Sequence, residues 1–344
     1  MRFLSLFALI LGASTAWSQN RPLIDFPTAN RALLEGRPAD FFMFVDRDFE
    51  GEKTTPWQGG QYGFVRGPRR VGDTVIYSSL HEGIDISPVR RDAQGNPLDD
   101  IKAAADGVVV HVNPEAGGSN YGRYIVIEHV WQGSKYYTLY AHLSSATAKI
   151  GQRVMQGEKI ATMGFTGAGI DRRRSHLHFE VCLKLNDDFD SWHRAHFPGQ
   201  PNRHGPYNGL NLVGADPTRL LMDSQVDPTL SIGDYFAAGE PAFRLTLPNT
   251  PHLYVVRAYP WLVAPGSGGN PPAWTITFSR YGIPLKAVAS PTPVAAPRLD
   301  WVADMPVAYA HATRGLITGS PGSPRLTDSG MRFARLVGGL DSPQ

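Results

Sequence analysis

The chain has 344 residues, 42% of them hydrophobic, and a net charge of +2 at neutral pH. This composition excludes a disordered chain, and so small a charge gives no reason to expect nucleic-acid binding. The length is enough for one large or two ordinary domains. Glycine (36) and proline (28) are frequent and accompany many short runs of Val, Ile, Tyr and Thr, which predicts a mainly β fold with many turns.

The N-terminus has the pattern of a secretory signal peptide. Arg2 supplies a positive charge, residues 3–11 form an apolar run, and Ala16 and Ser18 are small residues at the −3 and −1 positions before Gln19. A membrane span needs about twenty apolar residues, so we expect removal of this segment rather than anchoring, and no membrane span elsewhere. The mature protein is therefore expected in the periplasm, the cell envelope or the medium.

The pattern changes along the chain and predicts four parts. A stretch of mixed helical and loop character, with a short helix expected at 30–35, precedes a long series of short strands and turns typical of an antiparallel β-domain. A new run of strands begins after a short helix at 218–222. We therefore predict a signal peptide (1–18), an N-terminal arm (19–57), an antiparallel β-sheet domain (58–222) and a C-terminal β-rich accessory domain (223–344).

The accessory domain is expected to contain strands at 243–247, 253–258 and 274–280. A terminal helix is expected at 327–337, with Thr327 or Asp328 as its N-cap. Four aromatic residues of this domain are candidates either for stacking on sugars or for core packing, which is the commoner use: Tyr254, Tyr259, Trp261 and Trp274.

The segment His81-Glu82-Gly83-Ile84-Asp85 places an imidazole and a carboxylate four residues apart. Both groups are good zinc ligands. The glycine between them allows the backbone to turn so that both side chains point at one ion. Alone, this spacing is weak evidence, because it occurs by chance in many proteins.

A second candidate segment contains His176 and His178. Residues i and i+2 of a strand face the same side, so the two imidazoles are expected to project into one cleft while Leu177 and Phe179 face the core. The two histidines can share a metal, or one can bind it while the other handles protons.

A third segment, Tyr140-Ala141-His142-Leu143, adds a further histidine at the end of an expected strand. A catalytic zinc needs three protein ligands and an open position for water. A neutral histidine nearby can take the proton of that water, and an imidazolium can stabilise the developing oxyanion. Five residues together fill these roles: His81, Asp85, His178, His142 and His176.

These segments resemble the signature motifs of the LytM/lysostaphin-type zinc peptidases, which are H-x-x-x-D, Y-x-H-L and H-x-H. Here they are residues 81–85, 140–143 and 176–180, in the order of the family. Further matches are a turn at 105–109, Tyr121-Gly122, and a glycine-flanked hairpin at 151–160. The resemblance covers roughly residues 58–222.

The resemblance implies one zinc ion per chain, bound by His81, Asp85 and His178 with a water in the fourth position. It implies that His142 and His176 are the catalytic pair, without deciding which of them is the base. It also implies a small antiparallel β-sheet domain whose groove takes an extended peptide. The expected function is an exported zinc metalloendopeptidase that acts on peptide cross-links or stem peptides of bacterial peptidoglycan, as a monomer.

Three features depart from the family pattern. An insertion at 90–100, with a Gly-Asn-Pro turn at 95–97, is longer than the usual link after the first motif. Arg123 stands where the family commonly has asparagine. The loop before His176 contains three consecutive arginines, which are either a solvated loop or a grip on a carboxylate of the stem peptide: Arg172, Arg173 and Arg174.

Two other functions are alternatives to the peptidase. A catalytically silent member of the same family would bind cell wall and activate another wall hydrolase, but silent members typically lose ligands or catalytic residues, and here all five are present. A lipoyl or biotinyl carrier would share the glycine spacing at 151–160, but it needs an exposed lysine at a hairpin tip, and Lys159 is poorly placed.

The remaining candidates are weaker. Cys182, the single cysteine, excludes an internal disulfide and a cysteine-based zinc site. A small buried thiol is its expected role, with a Cys/His nucleophile pair as the alternative. His193 and His196 form an H-x-x-H pair in an expected loop, where they can bind a stray metal.

Overall fold

The computed structural model describes residues 21–343, so the predicted signal peptide lies outside the described residues. Strands make up 36% and helices 18% of the structure, and the sheets are antiparallel, which confirms the predicted mainly β fold. Within the described residues, no helix is long and apolar enough to cross a membrane.

Strands occur throughout the described chain. Those of the N-terminal half are β1 (Arg47–Phe49), β2 (Glu52–Thr54), β3 (Gly63–Val71), β4 (Thr74–His81), β5 (Ile84–Ile86), β6 (Asp100–Lys102), β7 (Gly107–Asn113), β8 (Tyr124–Trp131), β9 (Ser134–Ala141) and β10 (Leu143–Ala146). Those that follow are β11 (Arg153–Val154), β12 (Lys159–Met163), β13 (Leu177–Lys184), β14 (Leu212–Ala215), β15 (Pro241–Pro248), β16 (Ala273–Ser279), β17 (Pro284–Ser290), β18 (Arg298–Val302), β19 (Ile317–Ser320) and β20 (Ser323–Leu326).

The helices are short. They are α1 (Pro38–Phe41), α2 (Phe189–His196), α3 (Pro217–Val226), α4 (Ile232–Ala237), α5 (Tyr254–Ala258), α6 (Tyr309–Ala312) and α7 (Asp328–Gly338), with 3₁₀ turns at Trp57–Gly60, Gly205–Tyr207 and Pro260–Leu262.

A central antiparallel sheet has the order β11-β7-β8-β9-β13-β14, with β5 also paired to β13. Its strand β13 is buried along nearly its whole length and alternates between Leu177, Phe179 and Val181 on one face and polar or small side chains on the other. The register places His178 opposite Asp85 of β5 on one side and Ala141 of β9 on the other. Pairing to β13 therefore draws all three predicted motifs to one place.

Smaller sheets surround the central one. Strands β10, β12 and β6 form a three-stranded sheet, and β3 pairs with β4 in a long hairpin. The hairpin predicted at 151–160 is wrong, because β11 pairs with β7 in the central sheet while β12 pairs with β10 and β6. The glycines at 151 and 157 (both φ 85) instead provide the turns that send the two strands to different sheets.

Two local predictions in the N- and C-terminal parts also differ from the structure. Residues 30–35 form successive turns rather than a helix, because the Asn30 side chain accepts a hydrogen bond from the Ala32 amide and Gly36 takes a left-handed φ of 71. The strand predicted at 253–258 is the helix α5, in which Val255 is fully buried. The terminal helix is confirmed as α7, with the Thr327 side chain accepting from the Gly330 amide as its N-cap.

The C-terminal residues form a four-stranded sheet in the order β17-β16-β15-β18, against which α7 packs. One apolar core extends from Ile24 to Val337 and includes residues on both sides of the predicted boundary at 222. Tyr259 and Trp274 are buried, and Tyr254 and Trp261 are half-buried against this core. These positions favour the core-packing interpretation of the four aromatics.

Candidate metal centre

Three different strands supply the residues predicted to hold a metal. His81 is the last residue of β4, Asp85 lies in β5, and His178 lies in β13. The chain between the first two passes so close to β13 that a Cβ on Gly83 would lie 2.4 Å from the carbonyl oxygen of Phe179. Glycine is thus required at position 83 because any side chain would clash with the backbone of β13. Its φ is not positive, so this glycine does not serve a tight left-handed turn.

The ligand atoms of these residues form a small, nearly equilateral triangle. His81 Nε2 lies 3.0 Å from His178 Nδ1 and 3.1 Å from Asp85 Oδ1, and His178 Nδ1 lies 3.0 Å from the same carboxylate oxygen. Donor atoms placed tetrahedrally around zinc at its usual bond lengths are about 3.3 Å apart. All three residues are buried, and the group can hold a metal ion with little adjustment.

The other ring nitrogens are already engaged, which fixes the side that faces the triangle. His81 Nδ1 donates to the carbonyl oxygen of Gln61 at 2.7 Å, so its Nε2 is free for a metal. His178 Nε2 donates to the Glu180 carboxylate at 2.8 Å, so its Nδ1 is the atom in the triangle. Metal-binding histidines in proteins usually donate their second N–H in this way.

The charged groups around the histidines are the carboxylates of Asp85 and Glu180 and the guanidinium of Arg66. Burial alone would raise the pKa of Asp85, but nearby His176, His81 and Arg66 outweigh it and hold the pKa well below its usual range. The Arg66 guanidinium pairs with the second oxygen of this carboxylate. For His178, burial lowers the pKa, but hydrogen bonds to Asp85 and Glu180 prevail and raise it to about 9.

The predicted catalytic pair lies beside the triangle. The ring centroids of His142 and His176 are 4.7 Å apart in a T-shaped arrangement, and His142 lies 5.8 Å from the ring of His178. His142 has a left-handed φ of 63, which turns the chain sharply between β9 and β10. The structure therefore brings all five predicted site residues into one buried cluster.

Backbone carbonyls fix the tautomers of this pair. His142 Nδ1 donates to the Thr166 carbonyl at 2.8 Å, and His176 Nδ1 donates to the Arg174 carbonyl at 2.5 Å. His176 Nε2 lies 3.4 Å from Asp85 Oδ1 and has no hydrogen-bond partner in residues 21–343. Burial and the neighbouring imidazoles hold the pKa of His142 well below its usual value, so this imidazole is neutral in the folded protein.

Sequence reasoning missed two charged residues of this cluster. Glu180 follows His178 by two positions on the same strand face, so the alternation that joined the histidines also indicates it. Nothing in the sequence pattern indicates Arg66, because it reaches Asp85 only through the pairing of β3 with β4. The carbonyl of Gln61 has no side-chain signature at all.

The weaker candidates lie elsewhere or are buried. Cys182 is fully buried and its thiol donates to Glu180 at 3.1 Å, and burial raises the pKa of this thiol well above its usual value, which disfavours a nucleophile. His193 and His196 lie in α2 rather than a loop, and His196 bonds to Asp341 at 3.0 Å. Neither belongs to the metal-binding group.

Comparison with known proteins agrees with this geometry. Residues 79–190, which include all five site residues, match the model of peptidase family M23. This segment is an M23 domain. The predicted resemblance to the lysostaphin-type peptidases is thereby confirmed for this part of the chain.

Three curated relatives each match a part of the chain that is about as long as the M23 domain. An uncharacterised metalloprotease of Haemophilus influenzae is 42% identical over 103 residues (30% of this chain, 18% of the relative). The peptidoglycan DD-endopeptidase ShyA of Vibrio cholerae is 34% identical over 118 residues (34% and 24%). The murein hydrolase activator NlpD of Escherichia coli is 38% identical over 104 residues (30% and 23%). The chain thus spans a quarter or less of the length of each of these relatives.

Among solved structures, a zinc-containing peptidase from Vibrio cholerae is 27% identical, with a TM-score of 0.28, over 47% of this chain and 37% of the other.

Proposed function

We propose that this protein is an exported zinc metalloendopeptidase that hydrolyses peptide bonds of bacterial peptidoglycan. The observation that carries the proposal is the meeting of three potential metal ligands and two further histidines in one cluster. The M23 match and the similarity to a peptidoglycan DD-endopeptidase support the reaction and the substrate class. His81, Asp85 and His178 would hold the ion, one per chain.

A zinc ion bound there would polarise a water molecule and the scissile carbonyl. Because backbone carbonyls engage their Nδ1 atoms, His142 and His176 each present Nε2 as a proton acceptor. One of the pair takes the proton of the attacking water and passes it to the leaving amine, and the other, when protonated, stabilises the negative charge on the carbonyl oxygen. Burial excludes bulk water, which strengthens both interactions.

The test compares zinc content and release of soluble peptides from purified peptidoglycan in the mature protein and in His178→Ala. We expect about one zinc per chain in the mature protein, and loss of both zinc and hydrolysis in the variant. His311→Ala is the matched control, because this histidine lies in α6 outside the cluster. A mature protein that binds no zinc would contradict the assignment of the three ligands.

Similarity to NlpD favours a second candidate function, in which the protein activates another murein hydrolase. The measurements separate the two. An activator would leave purified peptidoglycan intact on its own, but would increase its digestion when a separate hydrolase is added. Export itself is tested by sequencing the N-terminus of the mature protein, which we expect to begin at Gln19.

A further inference from the structure

We propose that Glu180 is a positioning residue for the metal centre: its buried carboxylate fixes the ring of His178 so that Nδ1 faces the ion. This inference rests on the proposed function, because it concerns the same site. Glu180 is not one of the three ligands, and its contact is with Nε2, the ring nitrogen that lies outside the triangle.

The surroundings of Glu180 are built for a carboxylate. The residue is 1% exposed and lies on β13, between neighbouring strands of the central sheet. Three donors converge on it: His178 Nε2 at 2.8 Å and the Tyr121 hydroxyl at 2.7 Å on one oxygen, and the Cys182 thiol at 3.1 Å on the other. A buried charge is tolerated only when it is paired and hydrogen-bonded in this way.

These contacts leave His178 a single useful tautomer. While Glu180 accepts the hydrogen of Nε2, the lone pair of a neutral imidazole resides on Nδ1, which lies 3.0 Å from both His81 Nε2 and Asp85 Oδ1. The carboxylate also adds negative charge behind the ligand, which makes the imidazole a stronger donor to a metal. Without it, the ring would be free to change tautomer or rotate.

Tyr121 connects this arrangement to the catalytic pair. Its hydroxyl donates to Glu180, and its backbone carbonyl accepts the amide hydrogen of His142 at 2.9 Å. One residue thus bonds both to the carboxylate behind the ligand His178 and to the backbone of His142. Tyr121 thus links the ligand His178 to His142, one member of the proposed catalytic pair. Because Glu180 contacts the ligand directly, we expect its replacement to weaken metal binding.

The experiment measures zinc affinity of the full mature chain by competition with a chromogenic chelator, together with the absorption spectrum of the cobalt-substituted protein. Glu180→Gln keeps the shape of the side chain and removes its charge. We expect this variant to bind zinc about 10–100-fold more weakly, with a shifted cobalt spectrum. Glu128→Gln is the matched control, because Glu128 lies on β8 and also accepts from a tyrosine, Tyr137, away from the cluster. Its affinity is expected to remain unchanged.

A second variant keeps the proposal testable if Glu180→Gln does not fold. Tyr121→Phe removes one donor but leaves the charge, and we expect a smaller loss of affinity, at most about tenfold. Wild-type affinity in Glu180→Gln would overturn the proposal even if its metal-free form unfolds at lower temperature, since Glu180 would then be merely structural. If the charge variant does not fold, wild-type affinity in Tyr121→Phe overturns it. A wild-type protein without zinc would instead contradict the proposed function.

Discussion

At the scale of single residues, His129 is a fully buried histidine that does not belong to the candidate metal centre. Its Nδ1 lies 2.8 Å from the Asp106 carbonyl, its Nε2 lies 2.7 Å from the Thr138 hydroxyl, and its ring stacks on Trp131 at 4.7 Å. Burial lowers its pKa to about 4, although the carbonyl and charge of Asp106 act in the opposite direction. The folded protein therefore holds this imidazole neutral.

This pKa predicts that stability falls in mild acid. Between pH 6.5 and 4, His129 binds a proton in the unfolded chain but not in the folded chain. Lowering the pH through this range therefore decreases the free energy of unfolding by up to about 3 kcal/mol. In His129→Gln, the free energy of unfolding in urea should fall by about 2–3 kcal/mol less than in the wild type between pH 7 and 4.5. His311→Gln should behave as the wild type. Equal slopes in all three proteins would show that the pKa of His129 is the same in the folded and the unfolded chain.

At the scale of elements, two departures from the family pattern prove to be one structural unit. The insertion at 90–100 packs against the loop of three arginines that precedes His176. Arg91 donates to the carbonyl oxygens of Arg172 at 2.9 Å and Arg173 at 3.2 Å, and to the Ser175 hydroxyl at 3.3 Å. The Arg174 carbonyl in the same loop holds His176 Nδ1. The insertion thus braces a proposed catalytic residue.

We expect Arg91→Ala to loosen this loop without removing the metal. Amide hydrogen exchange at 171–176 should become faster, and kcat/KM on peptidoglycan peptides should fall about tenfold because His176 is less well placed. Zinc content should stay at the wild-type value. Arg90→Ala is the control, because Arg90 donates its side-chain hydrogen bond to Leu98 within the insertion. Unchanged exchange in Arg91→Ala would mean that the loop holds its shape unaided.

The arginines themselves are engaged with the protein. Arg173 pairs with Asp46, Arg172 donates to the Gln94 carbonyl, and Arg174 donates to the carbonyls of Phe44 and Gly169. These contacts favour the solvated-loop interpretation over a grip on substrate, although Arg172 and Arg173 remain exposed.

At the scale of the whole molecule, the C-terminal part is joined to the M23 domain through its core. Tyr259, fully buried, accepts from the amide of Lys184 at 2.8 Å and donates to the carbonyl of the same residue at 3.2 Å. Asn186 and Trp192 donate to carbonyls of α7, at Leu336 and Arg332. Strand β13, which ends at Lys184, is therefore secured by residues far along the chain.

This interface predicts that the two parts unfold together. Tyr259→Phe leaves both polar groups of Lys184 without a partner, so the free energy of unfolding should fall by about 1–3 kcal/mol in one cooperative transition. The exposed Tyr77→Phe, whose hydroxyl meets Arg47, should change it by less than about 0.5 kcal/mol. Two separate transitions, only one of them shifted, would show that the parts are independent.

The sequence predicted which five residues meet in the candidate site better than it predicted the residues around them. The alternation along β13 and the three motifs identify His81, Asp85, His142, His176 and His178, because strand period and ligand chemistry are both local properties. Arg66 and Arg91 could not be predicted, since their partners are distant in sequence and meet them only in the folded sheet. The run at 253–258 was mistaken for a strand because its apolar residues lack a clear period, and packing against the core decides for a helix.

The position of the single thiol gives the molecule a reporter of its own. Cys182 is the one cysteine of the sequence, and it lies fully buried in the strand that carries His178. A thiol reagent can reach it only when β13 opens or the chain unfolds. The labelling rate of the unmodified protein therefore reports the opening of the central strand directly. If zinc binds at the proposed site, adding it should slow this labelling, and the size of the change would measure how much the ion stabilises the strand.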